Sequence, residues 1–126
     1  MSSRIRIRVG DITVDAELFD TACAAAITAR LPIEAVPNDW GDEFYFEIPV
    51  VAALDHTATV AVNIGDIGYW PPGKALAIFF GPTPLSTGKE PVPASEVNIV
   101  GRIMGAADLL RKAKGSGFIR VEALIG

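Results

Sequence analysis

Five short stretches of this chain carry side chains able to act on a ligand. Tyr45 and Glu47 share one face of an alternating run, Phe44 to Val51. Glu47 in a cleft would serve as a general base or as the anchor for a cation; on an open wall it is an ordinary solvated carboxylate. Asn63 is an amide that either bonds a ligand or satisfies backbone groups near Ile64-Gly65. Tyr69, Trp70 and Pro71 form an aromatic end to a hairpin. They stack on a ring, a proline or an apolar side chain, or they close a lid over the core. Phe79 and Phe80 point to opposite faces of a regular strand, so one belongs to the core and the other is free to line a cleft, with Pro82 beside it. Arg102 is placed to pair with Glu47 or Asp66, or to bind a carboxylate; Asp66 itself has the chemistry of a turn carboxylate. The candidate binding set is therefore Tyr45, Glu47, Asn63, Tyr69, Trp70, Phe80, Pro82 and Arg102, and no catalytic residue is assigned.

Other chemistry is excluded by what the chain lacks. His56 has no serine or cysteine near it in the chain, so a hydrolytic triad is not supported. One histidine and one cysteine cannot build a conventional zinc site, and neither a metal nor another cofactor is expected. Cys23 sits in an alanine-rich segment and reads as an inert buried thiol in a reducing compartment. Gly115-Ser116-Gly117 stops a helix and lacks the lysine of a phosphate loop. A net charge of −4 lacks the basic footprint that nucleic acid demands. Arg4, Arg6 and Arg8 read as a solvated strand face. No apolar run approaches the roughly 18–20 residues that span a bilayer. The opening Met-Ser-Ser-Arg-Ile-Arg-Ile-Arg has no apolar stretch of a signal peptide, so a cytoplasmic protein is expected.

The elements that must position these residues are mostly strands. Ile5, Ile7 and Val9 alternate with the arginines, and Ile12, Val14 and Ala16 alternate with polar residues, around a Gly10-Asp11 turn. Asp20 is a suitable N-cap for a helix over Thr21 to Arg30, ended by Pro32. Strands are predicted over Phe44 to Val51, Thr57 to Ile64, Ile67 to Trp70, Lys74 to Phe80, Val97 to Met104 and Phe118 to Leu124. Pro72-Gly73 suits a type II turn with glycine at positive φ, and an aromatic before Pro71 favours a cis bond. A second helix is expected over Ala106 to Lys114. At 126 residues, without repeats or a long linker, the chain reads as a single domain over residues 1–126. Half of its residues are hydrophobic and its mean hydropathy is +0.36. That surplus points to a full core, an apolar cleft or a homo-oligomer contact.

Three segments carry a resemblance to a known family: Gly65-Asp-Ile-Gly-Tyr-Trp-Pro-Pro-Gly73, Phe79-Phe-Gly-Pro-Thr-Pro84 and Val100-Gly-Arg-Ile103. Together they resemble the small cyclophilin-like proteins of bacteria and archaea, over nearly the whole chain. The resemblance implies a closed eight-stranded β-barrel capped by two short α-helices. It is weaker toward the true prolyl isomerases. Their Phe-His-Arg segment, followed by proline, is similar to Tyr45-Phe46-Glu47-Ile48-Pro49, where the arginine is missing. Their Gln-Gly-Gly-Asp is similar to Asn63-Ile64-Gly65-Asp66, with a shorter amide. The expectation is a barrel-side cleft that binds a small molecule or a short, proline-containing peptide, with weak or no isomerase activity. The alternatives are an enzyme, or enzyme subunit, acting on an amide-type substrate through Glu47, and a homo-oligomeric structural protein.

Overall fold

Strict alternation decides the first face that this chain buries. The computed structural model describes residues 2–124; Met1, Ile125 and Gly126 lie outside the described residues. In β1 (Ser3–Val9) Ile5, Ile7 and Val9 are fully buried while the three arginines face out. β1 pairs with β2 (Ile12–Leu18) in an antiparallel hairpin running from Val9↔Ile12 to Ser3↔Leu18. The helix α1 (Ala22–Thr28) follows and buries Cys23, Ala24 and Ile27. Its N-cap is Thr21 rather than Asp20: Thr21 is extended, and its hydroxyl accepts the Ala24 N–H at 3.1 Å.

The remaining strands are β3 (Ile33–Ala35), β4 (Asn38–Asp39), β5 (Glu43–Glu47), β6 (Asp66–Trp70), β7 (Ala75–Phe79), β8 (Asn98–Met104) and β9 (Ile119–Ala123). They form one nine-stranded sheet in the order β3-β9-β1-β2-β8-β6-β7-β5-β4. The expected closed eight-stranded barrel is thus corrected to an open half-barrel. The two edges, β3 and β4, are consecutive in the chain and are joined through Val36-Pro37. Pro37 has no N–H to give to a ladder, so covalent connection stands where the last rung of a closed barrel would be. The concave side holds the main core, including Phe44, Phe46, Tyr69, Phe80, Ile27 and Leu110.

Four local expectations change for physical reasons. The second helix is a 3-10 helix over Ala107–Ala113, and it buries Ala107, Leu110 and Ala113. A spacing of three residues matches the three-per-turn period of that helix, not the α-helical one. The segment over Thr57 to Ile64 makes one isolated bridge, Thr59↔Val97, instead of a strand. Side chains take over the ladder there: Thr57 Oγ1 accepts the Ile99 N–H at 3.0 Å and donates to Asp55 Oδ1 at 2.6 Å. Pro71–Gly73 is a 3-10 turn, and the left-handed residue is Lys74 at φ 48° rather than Gly73. Gly73 answers a different need, since a Cβ there would lie 2.7 Å from the Trp70 ring. Trp70-Pro71 is trans, and the cis X–Pro bond among the described residues is Leu31-Pro32. No helix of the described residues is long and apolar enough to cross a membrane.

β8 crosses between β2 and β6, and Gly101 lies where it meets both, opposite Leu18 and Ile67. A Cβ at Gly101 would stand 2.2 Å from the Glu17 carbonyl oxygen. Gly101→Ala should therefore destabilise the fold by about 3 kcal/mol, because backbone has to move to admit it. Urea unfolding measures this as a lower midpoint at unchanged slope.

Candidate functional site

β7 is buried along its whole length, on both faces. Leu76 and Ile78 enter the main core, while Ala77 and Phe79 belong to a second apolar cluster on the convex side with Val62 and Val97. Tyr45, Trp70 and Ile99 pack against that cluster. Across this face Tyr45 of β5 is in register with Ala77, and Ala77 with Gly68 of β6. Val97 packs over Gly68, where a Cβ would lie 2.9 Å from its Cγ2. Val97 also lines a cavity of about 180 Å³, with Trp40, Glu43, Tyr45, Trp70, Phe79, Pro93 and Ala94.

Each wall has a local cause. Trp40 and Glu43 face each other across the β4–β5 hairpin, where the Trp40 N–H donates to the Glu43 carbonyl at 2.9 Å. The connecting pair is Gly41-Asp42, with Gly41 at φ 60°. Glycine first is the chemistry of a two-residue hairpin loop. Asp42 fastens this tip: its N–H donates to the Pro82 carbonyl, its carbonyl accepts the Phe80 N–H, and its carboxylate takes Arg111 Nε at 2.9 Å and Lys114 Nζ at 3.0 Å. Trp70 is held at its edge by a 2.7 Å hydrogen bond from Nε1 to Ser95 Oγ, and its ring closes over Gly73. The outer wall comes from the segment after β7. The Thr83 hydroxyl donates to the Val92 carbonyl at 2.5 Å and the Ser86 hydroxyl to the Glu90 carbonyl at 2.7 Å. These bonds fold the loop back and bring Pro93 and Ala94 over the cavity.

Electrostatically the cavity turns on Glu43. Its side chain is only 6% exposed. Its Oε1 is, among the described residues, the buried side-chain oxygen or nitrogen without a hydrogen-bond partner. Burial pushes its carboxyl up to about 8 from an ordinary 4.5. The neighbouring Asp42 has the opposite fate. Burial pushes it up as well, but the hydrogen bonds and charges of Lys114 and Arg111 outweigh that and hold it below its ordinary value. The carboxyl of Asp42, in the turn, meets two cations, and that of Glu43, the first residue of β5, meets aromatic rings. An isolated buried carboxyl with a shifted proton affinity, set in a mostly apolar concavity, makes this the candidate functional site.

The residues that the sequence points to separate into four places. Tyr45 and Trp70 do line the cavity. Asn63 and Arg102 lie elsewhere, in a second and more polar depression with Asp66, whose carboxylate accepts the Asn63 N–H at 2.9 Å. Burial pushes the Asp66 carboxyl up, and the Asn63 bond and the Arg102 charge partly offset this. Arg102 also approaches Glu17, at 3.9 Å. Tyr69 and Phe80 are core residues with no exposed surface, and the Tyr69 hydroxyl donates to the Val50 carbonyl at 2.6 Å. Glu47 and Pro82 are exposed. Of the adjacent phenylalanines, Phe80 is the core member and Phe79 the cleft member. Trp40, Glu43, Pro93, Ala94 and Val97 had not been singled out. Glu43 had a legible signal: two-residue alternation back from Glu47 and Tyr45 puts it on their face, and Gly41-Asp42 is a hairpin dipeptide.

An open antiparallel half-barrel with helices at its ends and an aromatic cleft on its convex side defines the protein as a cyclophilin-type β-fold. The chain belongs to the cyclophilin-like family, whose profile matches residues 3–122. The solution structure of the hypothetical protein AF2241 from Archaeoglobus fulgidus is 35% identical, with a TM-score of 0.81 over 98% of this chain and 95% of that one. The structure of McbB in complex with tryptophan shares the fold at 18% identity and a TM-score of 0.68. There the match covers 94% of this chain but 44% of McbB. Curated proteins yield no match.

Glu43 makes stability depend on pH with a definite sign. Between about 4.5 and about 8 the folded state holds its proton while the unfolded state has lost it. The folded state then binds more protons, so stability falls as pH rises through that window. Glu43→Gln removes the group and should raise stability at pH 8, by on the order of 4 kcal/mol at most, while changing it little near pH 4. Thermal or urea unfolding of both proteins across that range checks the prediction. An equal effect at both ends would show that Glu43 is not buried as a lone acid.

Proposed function

We propose that the convex-side cleft is the binding site of this protein, for a small molecule with a flat ring or for one side chain of a short peptide. The supporting observation is the combination of a preformed aromatic cavity with one buried, unpartnered carboxyl. Aromatic walls contribute contact area at little cost in side-chain freedom. The cavity volume of about 180 Å³ lies below the roughly 300–1,000 Å³ of drug-sized pockets. Its occupant is therefore a fragment-sized molecule or a single side chain. Trp40 and Trp70 are the only tryptophans of the chain and both line the cavity, so intrinsic fluorescence reports occupancy.

Prolyl isomerisation is not part of this reading. The strand that resembles the isomerases' arginine-bearing segment carries Glu47, which is exposed. A cis/trans assay on a prolyl peptide should therefore show no acceleration over the uncatalysed exchange, which takes tens to hundreds of seconds. In the same protein, titration with small aromatic compounds should shift or quench tryptophan emission, and Tyr45→Ala should weaken that response about tenfold. Robust turnover of the peptide would overturn the first statement, and a flat fluorescence titration the second.

A second reading has one observation in its favour. A carboxyl pushed up to about 8 exchanges its proton near neutral pH, which suits a general acid or base. Chemistry on an amide-type substrate would then centre on Glu43 rather than on Glu47. Hydrolysis of simple amides that is lost in Glu43→Gln, with the fluorescence response retained, would favour this reading over binding alone.

A further inference from the structure

We propose that the cleft takes a protonated amine, carried on a flat apolar body, with Glu43 as its counter-ion. This rests on the reading of the cleft as a binding site and adds the charge and donor chemistry of its ligand. Among the side chains that line the cavity, Glu43 alone is a carboxyl, beside the Tyr45 hydroxyl and the indole N–H groups of Trp40 and Trp70. Trp70 spends its N–H on Ser95, the Pro93, Ala94 and Val97 wall is apolar, and Oε1 of Glu43 has no partner. Around it stand Trp40, Tyr45, Trp70 and Phe79. Aromatic faces are electron-rich and attract cations, more strongly where water is excluded. An anion would meet the same faces and a carboxyl with no compensating charge.

No other residue that lines the cavity with Glu43 carries a charge near neutral pH. Tyr45, on the same strand, is the other titratable side chain lining the cavity. β7 contributes Phe79, the hairpin contributes Trp40, and the outer wall contributes no charge. Asp42, next in the chain, is committed to Arg111 and Lys114, so those cations are engaged elsewhere. Desolvation alone shifts the carboxyl. The missing cation has to come from outside, and the net charge of −4 favours its approach. An ammonium N–H also gives a partner to an oxygen that lacks one. Binding therefore couples to proton release: Glu43 gives its proton to water as the ammonium arrives, and the ligand keeps its own.

The test uses the full chain and three probes of one shape: benzylammonium, benzyl alcohol and benzoate, each titrated against tryptophan emission at several pH values. Benzylammonium should bind about tenfold tighter than benzyl alcohol near pH 8, where the probe still holds its proton, and benzoate should not bind. Below that pH the affinity for benzylammonium should fall close to tenfold per unit, because the proton must first leave Glu43, whereas benzyl alcohol should show no slope. Glu43→Gln should abolish the slope and the preference while keeping benzyl alcohol binding. Equal affinity for the amine and the alcohol, a flat pH profile in the wild type, or a slope that survives in Glu43→Gln would each overturn the inference and leave the cleft reading standing. No response to any probe would overturn the cleft reading, and this inference with it.

Discussion

The structure depends on covering both faces of β7. A strand buried from Ala75 to Phe79 is ordinary in the middle of a layered fold, but here only the concave side faces the main core. The convex side has to be closed by pieces that are not sheet. Val62 arrives from the irregular segment before β6, Val97 from the isolated bridge just before β8, and Pro93 and Ala94 from the long loop. Loops fill a surface less completely than a second layer does. Between Val97, Tyr45, Trp70 and the loop that carries Pro93 and Ala94 the cover is incomplete, and that gap is the cleft. The cavity follows from the way the sheet is covered.

The same geometry separates two neighbouring carboxyls. Asp42 lies in the turn of the β4–β5 hairpin, Glu43 is the first residue of β5, and their side chains leave in different directions. Asp42 turns toward the 3-10 helix and binds Arg111 and Lys114, an arrangement that fixes the tip and with it the positions of Trp40 and Glu43. Glu43 turns toward the rings. A buried acid without a partner costs stability, and a protein carries such a cost where a site requires it. Asp42 thus supplies the rigidity that an unfavourable neighbour needs.

The open ladder bears on the same hairpin. β4 is an edge strand of only two residues, Asn38–Asp39, and β3 at the other edge has three. Short edges limit pairing with other chains. Because Val36-Pro37 connects the edges without pairing them, the β4–β5 hairpin is positioned mainly by β7 and by the Asp42 contacts. Its side of the cleft is thereby attached to the 3-10 helix, and the opposite side to the long loop after β7.

Much of this was readable in the amino-acid order. Alternation of Ile5, Ile7 and Val9 with arginines, the helix at Thr21, and the paired runs around Pro71-Pro72-Gly73 depend on period and turn chemistry, which are local. So does the division of Phe79 from Phe80. The choice of face was legible too: Tyr45 and Trp70 belong to the cleft, and the carboxylate sought at Glu47 stands four residues away, at Glu43 on the same face. What alternation cannot decide is which members of an outward face other segments will cover. That was settled by the loop carrying Pro93 and Ala94 and by the hairpin turn at Gly41-Asp42, contacts between residues far apart in the chain. For the same reason only the tertiary structure decided that Tyr69 is core, that Asn63 and Arg102 belong to a different depression, and that the sheet stays open at Pro37. Local patterns determine strands and their faces; burial, and with it the proton affinity of Glu43, depends on what packs against them.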